Sequence, residues 1–336
     1  MIKNILVTGG TGYVGSHISV KLLESGYNVT LVDNFSNSKK SIINKIKNIT
    51  NKNFSFYKLD ILDSKNLFRI FKKEKIQLVF HLAAFKSVNE SVSFPEKYFK
   101  NNIFGITSLI RAMEKACVYN LIFSSSAVVY GNSIYLPINE NHPVNPLSPY
   151  GISKLFGEQY LSYIQSKNKR WKIISLRYFN PVGSHISKEI GDNPINPNNI
   201  MPRINKVALN NKSTFKIFGH NYKSKDGTAV RDYIHIMDVV DAHLLSLKKI
   251  KKISEHAIFN IGTGKGVSVS ELLKVYQKVN KLKLKLKKTA RRKGDIAMSY
   301  ACVKRIKNKI GWKSKYSIKD MCVSSYEFAK SVSKKS

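Results

Sequence analysis

Residues 5–15, ILVTGGTGYVG, decide how the chain is read: a short β-rich apolar run opens into a glycine cluster, and a helical pattern follows at Val14, Ile18, Leu22 and Leu23 until Gly26. Gly9, Gly12 and Gly15 stand in the spacing G-x-x-G-x-x-G. Glycine lets the backbone turn tightly and come close to a pyrophosphate, whose charge meets the N-terminus of the helix. A glycine triplet alone is a weak sign, since a plain structural turn has the same composition. Its context strengthens it. The next apolar run, YNVTLVD, ends on Asp33, 18 residues after Gly15, where a carboxylate can accept hydrogen bonds from the ribose hydroxyls of adenosine. That carboxylate would also repel a 2′-phosphate, so the pattern predicts NAD over NADP, with Lys39 and Lys40 nearby as the opposing feature.

The same rhythm continues outward. Strands are predicted at 54–60, 77–84 and 120–126 and helices near 63–73 and 99–116, followed by a helix from Pro149 to about 167 and a strand at 172–180. Such alternation predicts an α/β fold, a Rossmann-type doubly wound parallel sheet covered on both faces. From Pro181 the composition shifts to GDNPINPNN, rich in turn formers. Residues 1–180 are therefore read as an NAD-binding domain and 181–336 as a smaller mixed α/β domain for the substrate, with segments around 231–262 returning to the first. The second part holds a helix near 200–210, the strand TFKIFG, and the runs RDYIHIMDVVDAHLLSL and AIFNIGTG.

Of 336 residues, 57 are Lys or Arg and 21 Asp or Glu, a net charge of +36, yet the 43% hydrophobic content excludes a disordered chain. No run reaches the ~18 consecutive apolar residues of a spanning helix, and MIKNILVTGG leaves no room for a signal peptide, so a cytoplasmic protein without membrane attachment is expected. Cys117, Cys302 and Cys322 lack the spacing of a metal or redox site and read as ordinary thiols. The lysines are spread along the whole chain, which points to a solvated surface and no specific nucleic-acid partner. KLKLKLKK (281–288) has a period of two that puts Leu282, Leu284 and Leu286 on one face, predicting a half-buried edge strand guarded by lysines.

Tyr150 and Lys154 stand four residues apart, one helical turn and the same face. A free phenol titrates near 10, so it acts as a base at neutral pH only where a neighbouring cation lowers it, which Lys154 could do. Ser124, Ser125 and Ser126 end a strand at the carboxyl edge of the sheet, where ligands of such sheets bind. They could cap the following turn, or one could hold a substrate oxygen against Tyr150.

Together TGGTGYVG (8–15), VDN (32–34), LDI (59–61), HLAA (81–84), SSSAVVYG (124–131), SPYGISK (148–154) and RYFNPVG (177–183) resemble the extended short-chain dehydrogenases/reductases. With PNNIMP, DGTAVRDYIH, FNIGTG and ARRKGD in this order, the chain is similar to the UDP-glucose 4-epimerases of that family from Ile5 to about Trp312. The resemblance implies an isomerase acting through a 4-keto sugar with tightly bound NAD, and a homodimer packed through helices near 99–116 and 150–167. It assigns catalysis to Ser126, Tyr150 and Lys154, and the cofactor to Gly9, Gly12, Tyr13, Val14, Gly15, Asp33, Asn34, Asp60, Ile61, Leu82, Ala83, Ala84, Lys86, Asn101 and Tyr178 besides Tyr150 and Lys154. The UDP-hexose falls to Asn180, Asn199, Ile200, Phe218, Arg231, Arg292 and Asp295, with Ser126 and Tyr150 at the sugar. Arginine suits a diphosphate because its fixed fork stays charged. Relatives limited to glucose and galactose carry a bulky Tyr a few residues after Gly-Asp; here Ser299 takes that position, which implies room for N-acetylated sugars. The alternative is another NAD-dependent nucleotide-sugar epimerase or a dehydratase of the same family, but family dehydratases carry an Asp-Glu pair where Ala127 and Val128 follow Ser126.

Overall fold

The computed structural model describes residues 2–194, 197–210, 213–292 and 295–334. In chain order the first elements are β1 (Asn4–Thr8), α1 (Tyr13–Glu24), β2 (Asn28–Asp33), α2 (Ser41–Thr50), β3 (Ser55–Lys58), α3 (Ser64–Lys73), β4 (Leu78–His81), α4 (Val88–Ser93), α5 (Pro95–Tyr98), a π-helical turn at Phe99–Phe104, α6 (Gly105–Lys115) and β5 (Asn120–Ser126). A 3-10 turn at Ala127–Tyr130 precedes α7 (Pro149–Lys167), β6 (Lys172–Tyr178), β7 (Asn180–Val182), α8 (Ile200–Ala208), β8 (Phe215–Phe218), β9 (Val230–Arg231), β10 (Tyr233–His235) and α9 (Ile236–Lys249). The chain closes with β11 (Ala257–Ile261), β12 (Val267–Ser268), α10 (Val269–Val279), β13 (Leu286–Thr289), β14 (Met298–Ser299), α11 (Lys304–Ile310) and α12 (Ile318–Ser333).

The central sheet has seven parallel strands in the order β11-β6-β5-β4-β1-β2-β3. This is the predicted Rossmann-type arrangement. Strand order reverses between β1 and β4, which pair directly from Ile5↔Leu78 to Thr8↔His81. Their carboxyl ends are the topological switch point at which such sheets bind ligands. Residues 5–7, 29–32 and 78–80 are buried and, apart from Thr30, apolar, as a sheet covered on both faces requires.

Two compact units share the chain. One consists of Met1–Gly131, Val144–Arg177 and Val240–Phe259; the other of Asn132–Pro143, Tyr178–Val239 and Asn260–Ser336. The first is packed around Val79, Leu109, Ile110, Leu121, Phe123, Leu161 and Trp171. In the second, Met201, Ile204, Phe215, Ile217, Tyr233, Leu272 and Tyr276 form the core beneath α8, α10 and α12.

The structure adds elements that the periodicity does not disclose. In α2, SIINKIKNIT, only Ile46 is buried, and its β-branched and Asn residues are weak helix formers. The helix expected near 99–116 opens as a π turn before α6. KLKLKLKK is corrected in register: Leu282 and Leu284 do turn inward, but pairing with β8 begins only at Leu286, which is 43% exposed. The edge strand therefore starts where the leucine face has already ended. Among the described residues no helix is long and apolar enough to cross a membrane.

Three histidines make the fold sensitive to acid. Burial holds His81 near 3 and His235 and His256 near 4, against an ordinary 6.5. Above pH 6.5 the three are neutral folded or unfolded. As pH falls from 6.5 toward 4 the unfolded chain takes up protons that the folded one refuses, so stability is lost across that window. Thermal unfolding at fixed salt is expected to show a falling midpoint below pH 6.5, and a flat midpoint down to pH 4 would refute the assignment.

Candidate active site

The glycine loop is built by close approach. Gly9 has φ +67°, and a Cβ there would lie 2.8 Å from the Ala83 nitrogen; a Cβ on Gly15 would collide with the Gly9 carbonyl oxygen. Only glycine lets α1 start this tightly against β1 and β4. Gly12 caps α1 without a side chain, and the first turn, which holds Tyr13 and Val14, contains no acid. The helix N-terminus is thus left for an outside anion. Thr8 Oγ1 bonds His81 Nδ1 at 2.8 Å and accepts from the Leu82 and Ala83 amides at 3.2 and 3.3 Å, pinning Leu82–Ala84 beside the loop.

Asp33 anchors the loop. Its Oδ2 accepts from the Thr11 amide at 3.1 Å, and its Oδ1 from the Phe35 amide and the Ser38 hydroxyl, both at 2.9 Å. A carboxylate has about four lone-pair sites, so Oδ2 can still accept from a sugar hydroxyl. Asn34 donates to Asp60 Oδ2 at 3.0 Å, beside the buried Ile61. These residues fit NAD: a cradle that a Cβ would fill, an uncapped helix start and a carboxylate at the end of β2. Asp33→Ser is expected to lower total cofactor retention, because Thr11 and Phe35 lose their acceptor, and to shrink the NAD-over-NADP ratio by at least about tenfold. Reconstitution of apo-protein with each cofactor measures both, and an unchanged ratio overturns the charge argument.

Lys86 is exposed, its ammonium 5.4 Å from the Tyr13 ring centroid. Asn101 donates to Asn102 Oδ1 at 2.9 Å. The expected residue is therefore held by a buried neighbour that sequence reasoning missed: Asn102 bonds the Phe85 backbone in both directions, at 2.9 and 3.0 Å, and Ser153 at 2.9 Å. Tyr178, at the end of β6, is buried.

Helix α7 carries the expected pair, Tyr150 and Lys154. Ser148 caps it by accepting from the Gly151 amide, and Pro149 opens its first turn. Gly151 and Gly157 let it press inward, since added Cβ atoms would meet Pro146 Cβ at 2.8 Å and Phe123 Cζ at 2.7 Å. Tyr150 and Lys154 are both buried, at 8% and 4% exposure. Lys154 Nζ donates to the Ser124 carbonyl at 2.7 Å, and the Ser126 hydroxyl lies beside the Tyr150 phenol. Ser126 Oγ also accepts from the Val128 amide at 3.3 Å, so it both caps the next turn and faces the phenol. Burial pushes the Tyr150 phenol up and the Ser126 bond pulls it partly back. Burial outweighs the expected lowering by Lys154, whose ammonium is aimed at the β5 carbonyl. Burial brings Lys154 itself down to about 7, with the Glu158 carboxylate pulling it back up.

The second unit holds the other group of expected residues. Asp232 is the hub that sets them: buried, it accepts from the Thr263 amide and hydroxyl at 2.7 and 2.6 Å and from the Gly264 and Ala301 amides at 3.0 and 3.1 Å. FNIGTG is accordingly wrapped around a carboxylate. Arg231, next to this hub on β9, donates to the Val230 carbonyl at 2.9 Å. β14 runs parallel to β9 with Ser299 opposite Arg231, whereas Tyr300 packs on Gly266, where a Cβ would lie 2.9 Å from its Cδ1. Arg292 pairs with Asp295 at 3.0 Å and lies 4.8 Å from the Phe218 ring centroid, with Arg203 5.0 Å from the same centroid. Asn199 donates to Asp192 at 3.1 Å just before Ile200 opens α8, and the Asn180 amide bonds the Asp232 carbonyl at 3.0 Å. Lys293 and Gly294 of ARRKGD lie outside the described residues.

A family model described as GDP-mannose 4,6 dehydratase matches residues 6–324. A UDP-glucose 4-epimerase of Bacillus subtilis is 42% identical over 97% of both chains. The chain belongs to the UDP-glucose 4-epimerase family. Among solved structures, a UDP-glucose-4-epimerase from Stenotrophomonas maltophila with bound NAD and formylated UDP-arabinopyranose has a TM-score of 0.97 at 39% identity, covering 99% of this chain and 100% of that one. The epimerase from Bifidobacterium longum in complex with NAD+ and UDP has a TM-score of 0.93 at 39% identity, covering 97% and 98%. Like the sequence, the structure puts Ala127 and Val128 after Ser126, opening the 3-10 turn.

Proposed function

We propose that this member of the UDP-glucose 4-epimerase family interconverts UDP-galactose and UDP-glucose through a 4-keto sugar, using tightly held NAD. The reading is carried by the buried set of Ser126, Tyr150 and Lys154, the lysine held to the Ser124 carbonyl, at a strand end with no acid pair for dehydration. NAD, when bound, supplies a carbon that accepts hydride from C4 of the hexose and returns it. Tyr150 as phenolate takes the 4-hydroxyl proton while Ser126 holds the same oxygen, and Tyr150 gives the proton back after the keto sugar has turned over. Lys154 holds the nicotinamide ribose. In this reading the first unit serves NAD through Gly9, Gly12, Gly15, Asp33, Asn34 and Asp60. The second serves UDP, with Arg231 and Arg292 on the diphosphate and Asn180, Asn199, Ile200, Phe218 and Asp295 along the nucleotide. Strong binding of UDP with a loosely held hexose is what the turning step demands. The test is turnover of UDP-galactose coupled to oxidation of the UDP-glucose formed; absence of turnover by NAD-loaded protein refutes the reading.

A homodimer through α6 and α7 accompanies it. Phe104, Ile152 and Tyr163 support this by exposing 61%, 44% and 61% of their surface along the π turn and α7. A cytoplasmic setting agrees with three free cysteines.

Substrate breadth is read from Ser299. Since Tyr300 is committed to Gly266, a serine stands opposite Arg231 where a phenol ring would otherwise meet a 2-acetamido group. UDP-N-acetylglucosamine and UDP-N-acetylgalactosamine are expected to interconvert as well, and Ser299→Tyr is expected to abolish that turnover while sparing the unacetylated pair. Background rates on the acetylated pair with the unchanged protein would reject the open gate.

A further inference from the structure

Behind the reactive pair lies a buried ionic cluster that the mechanism above does not use. Residues 150, 154 and 158 follow one another at single-turn intervals on α7, so Glu158 continues the face that carries Tyr150 and Lys154. Its carboxylate is 3% exposed. Oε1 accepts from Ser125 Oγ at 2.5 Å and from Arg177 Nε at 2.9 Å, while Oε2 accepts from Arg177 Nη2 at 2.6 Å. Arg177 comes from β6, Ser125 from β5, and the guanidinium lies 4.7 Å from the Tyr130 ring centroid. Two residues of this face are therefore tied to the end of β5, Lys154 to the Ser124 carbonyl and Glu158 to the Ser125 hydroxyl, and Tyr150 lies beside the Ser126 hydroxyl of the same strand end.

We propose that Glu158, clamped between Ser125 and Arg177, is a positioning residue that acts through Lys154, holding its ammonium form against β5 and fixing the face of α7 that presents Tyr150. The proposal rests on the epimerase reading for the reaction it serves. A buried ion pair is costly to desolvate, and apolar residues of like volume commonly hold a fold as well or better. Its retention next to a reactive lysine calls for a role that an apolar pair could not fill. Lys154 supplies that role, because the environment that makes it useful also discharges it. Burial alone favours the neutral amine, and His81 and Tyr150, on either side, contribute no negative charge while neutral. The other groups facing the ammonium are the Ser124 carbonyl and the Phe123 ring, 4.9 Å from Nζ to centroid. Glu158 is the negative charge that draws the group part of the way back toward its ammonium form. It faces Ser125, Arg177 and, from the segment before β11, His256, which burial keeps neutral. The fork of Arg177 holds the carboxylate in place through two parallel hydrogen bonds, at 2.9 and 2.6 Å.

The test is the titration of Lys154, followed by NMR in protein carrying 13Cε-lysine, with the signal assigned by its loss in Lys154→Arg. In Glu158→Gln the midpoint is expected to fall by about one unit or more, a tenfold loss of ammonium relative to amine at a fixed pH. The alkaline limb of UDP-galactose turnover is expected to move down with it. Arg177 left without its partner could unfold that variant. Glu158→Gln combined with Arg177→Met removes both charges, and a smaller shift in the same downward direction is expected there, because the guanidinium that partly offsets the carboxylate is gone as well. A folded variant of either kind with an unmoved Lys154 midpoint overturns the proposal, whatever its loss of rate. An unchanged protein that titrates normally but turns over no UDP-galactose sinks the epimerase reading alone.

Discussion

Tyr150→Phe is expected to lower kcat for UDP-galactose by at least about a hundredfold, the lower bound for loss of a general acid/base, with the fold and bound NAD retained. Phenylalanine keeps the ring that packs at 6.5 Å, edge to face, against Tyr98 and removes only the oxygen that Ser126 engages. The phenol is buried, so the pocket that shapes the ring is unaltered, and water has little access to replace the base. Stopped-flow or coupled turnover gives the rate, while absorbance of the extracted dinucleotide gives cofactor content. Wild-type turnover in a variant with full NAD would remove Tyr150 from the reaction.

Lys154→Met is expected to reduce turnover at pH 7 by tenfold or more and to move the acid limb of the pH-rate profile upward by about one unit or more. Burial already opposes the Tyr150 phenolate, and the Ser126 hydrogen bond offsets only part of that. Once a phenolate forms on α7, its nearest cation on the same helix face is the ammonium one turn on. Methionine is similar in length and keeps the packing near Phe123 while removing the charge. It also frees the Ser124 carbonyl, so a modest loss of thermal stability should accompany the kinetic change. The two effects separate cleanly: stability falls at all pH values, whereas the limb moves only if charge is the cause. An acid limb that stays in place with unchanged rates would refute the electrostatic role of Lys154.

What the residues disclose by themselves depends on how far apart the partners lie. The strand, glycine loop and helix at 4–24 are local, and so is the four-residue step from Tyr150 to Lys154; both are read directly from spacing. Glu158 stands at the next step of the same face, yet nothing local says that it is an ion, because its partner Arg177 becomes a neighbour only when β6 is laid beside β5. Asn102 is hidden in the same way behind Asn101. Two glycine-rich stretches look alike in composition and differ in use: GGTG follows β1 and opens a helix, whereas GTG at 262–264 encloses the Asp232 carboxylate contributed by a residue thirty positions earlier. In KLKLKLKK the alternation is correct and the start of pairing is not, since register is set by β8 and not by the lysines.

The order of strands has a consequence during synthesis. β6 ends at Tyr178, but β11, which covers its outer edge, begins only at Ala257. A ribosome adding about 5–20 residues per second takes roughly 4–16 s to cross the intervening eighty or so residues. For that time the nascent sheet presents KIISLRY as an unpaired margin, with Ile173, Ile174 and Leu176, all buried in the finished protein, next to open backbone donors and acceptors. The vulnerable species is therefore the half-made chain, and helpers that shield strand margins at the tunnel exit would govern its yield more than any property of the completed enzyme.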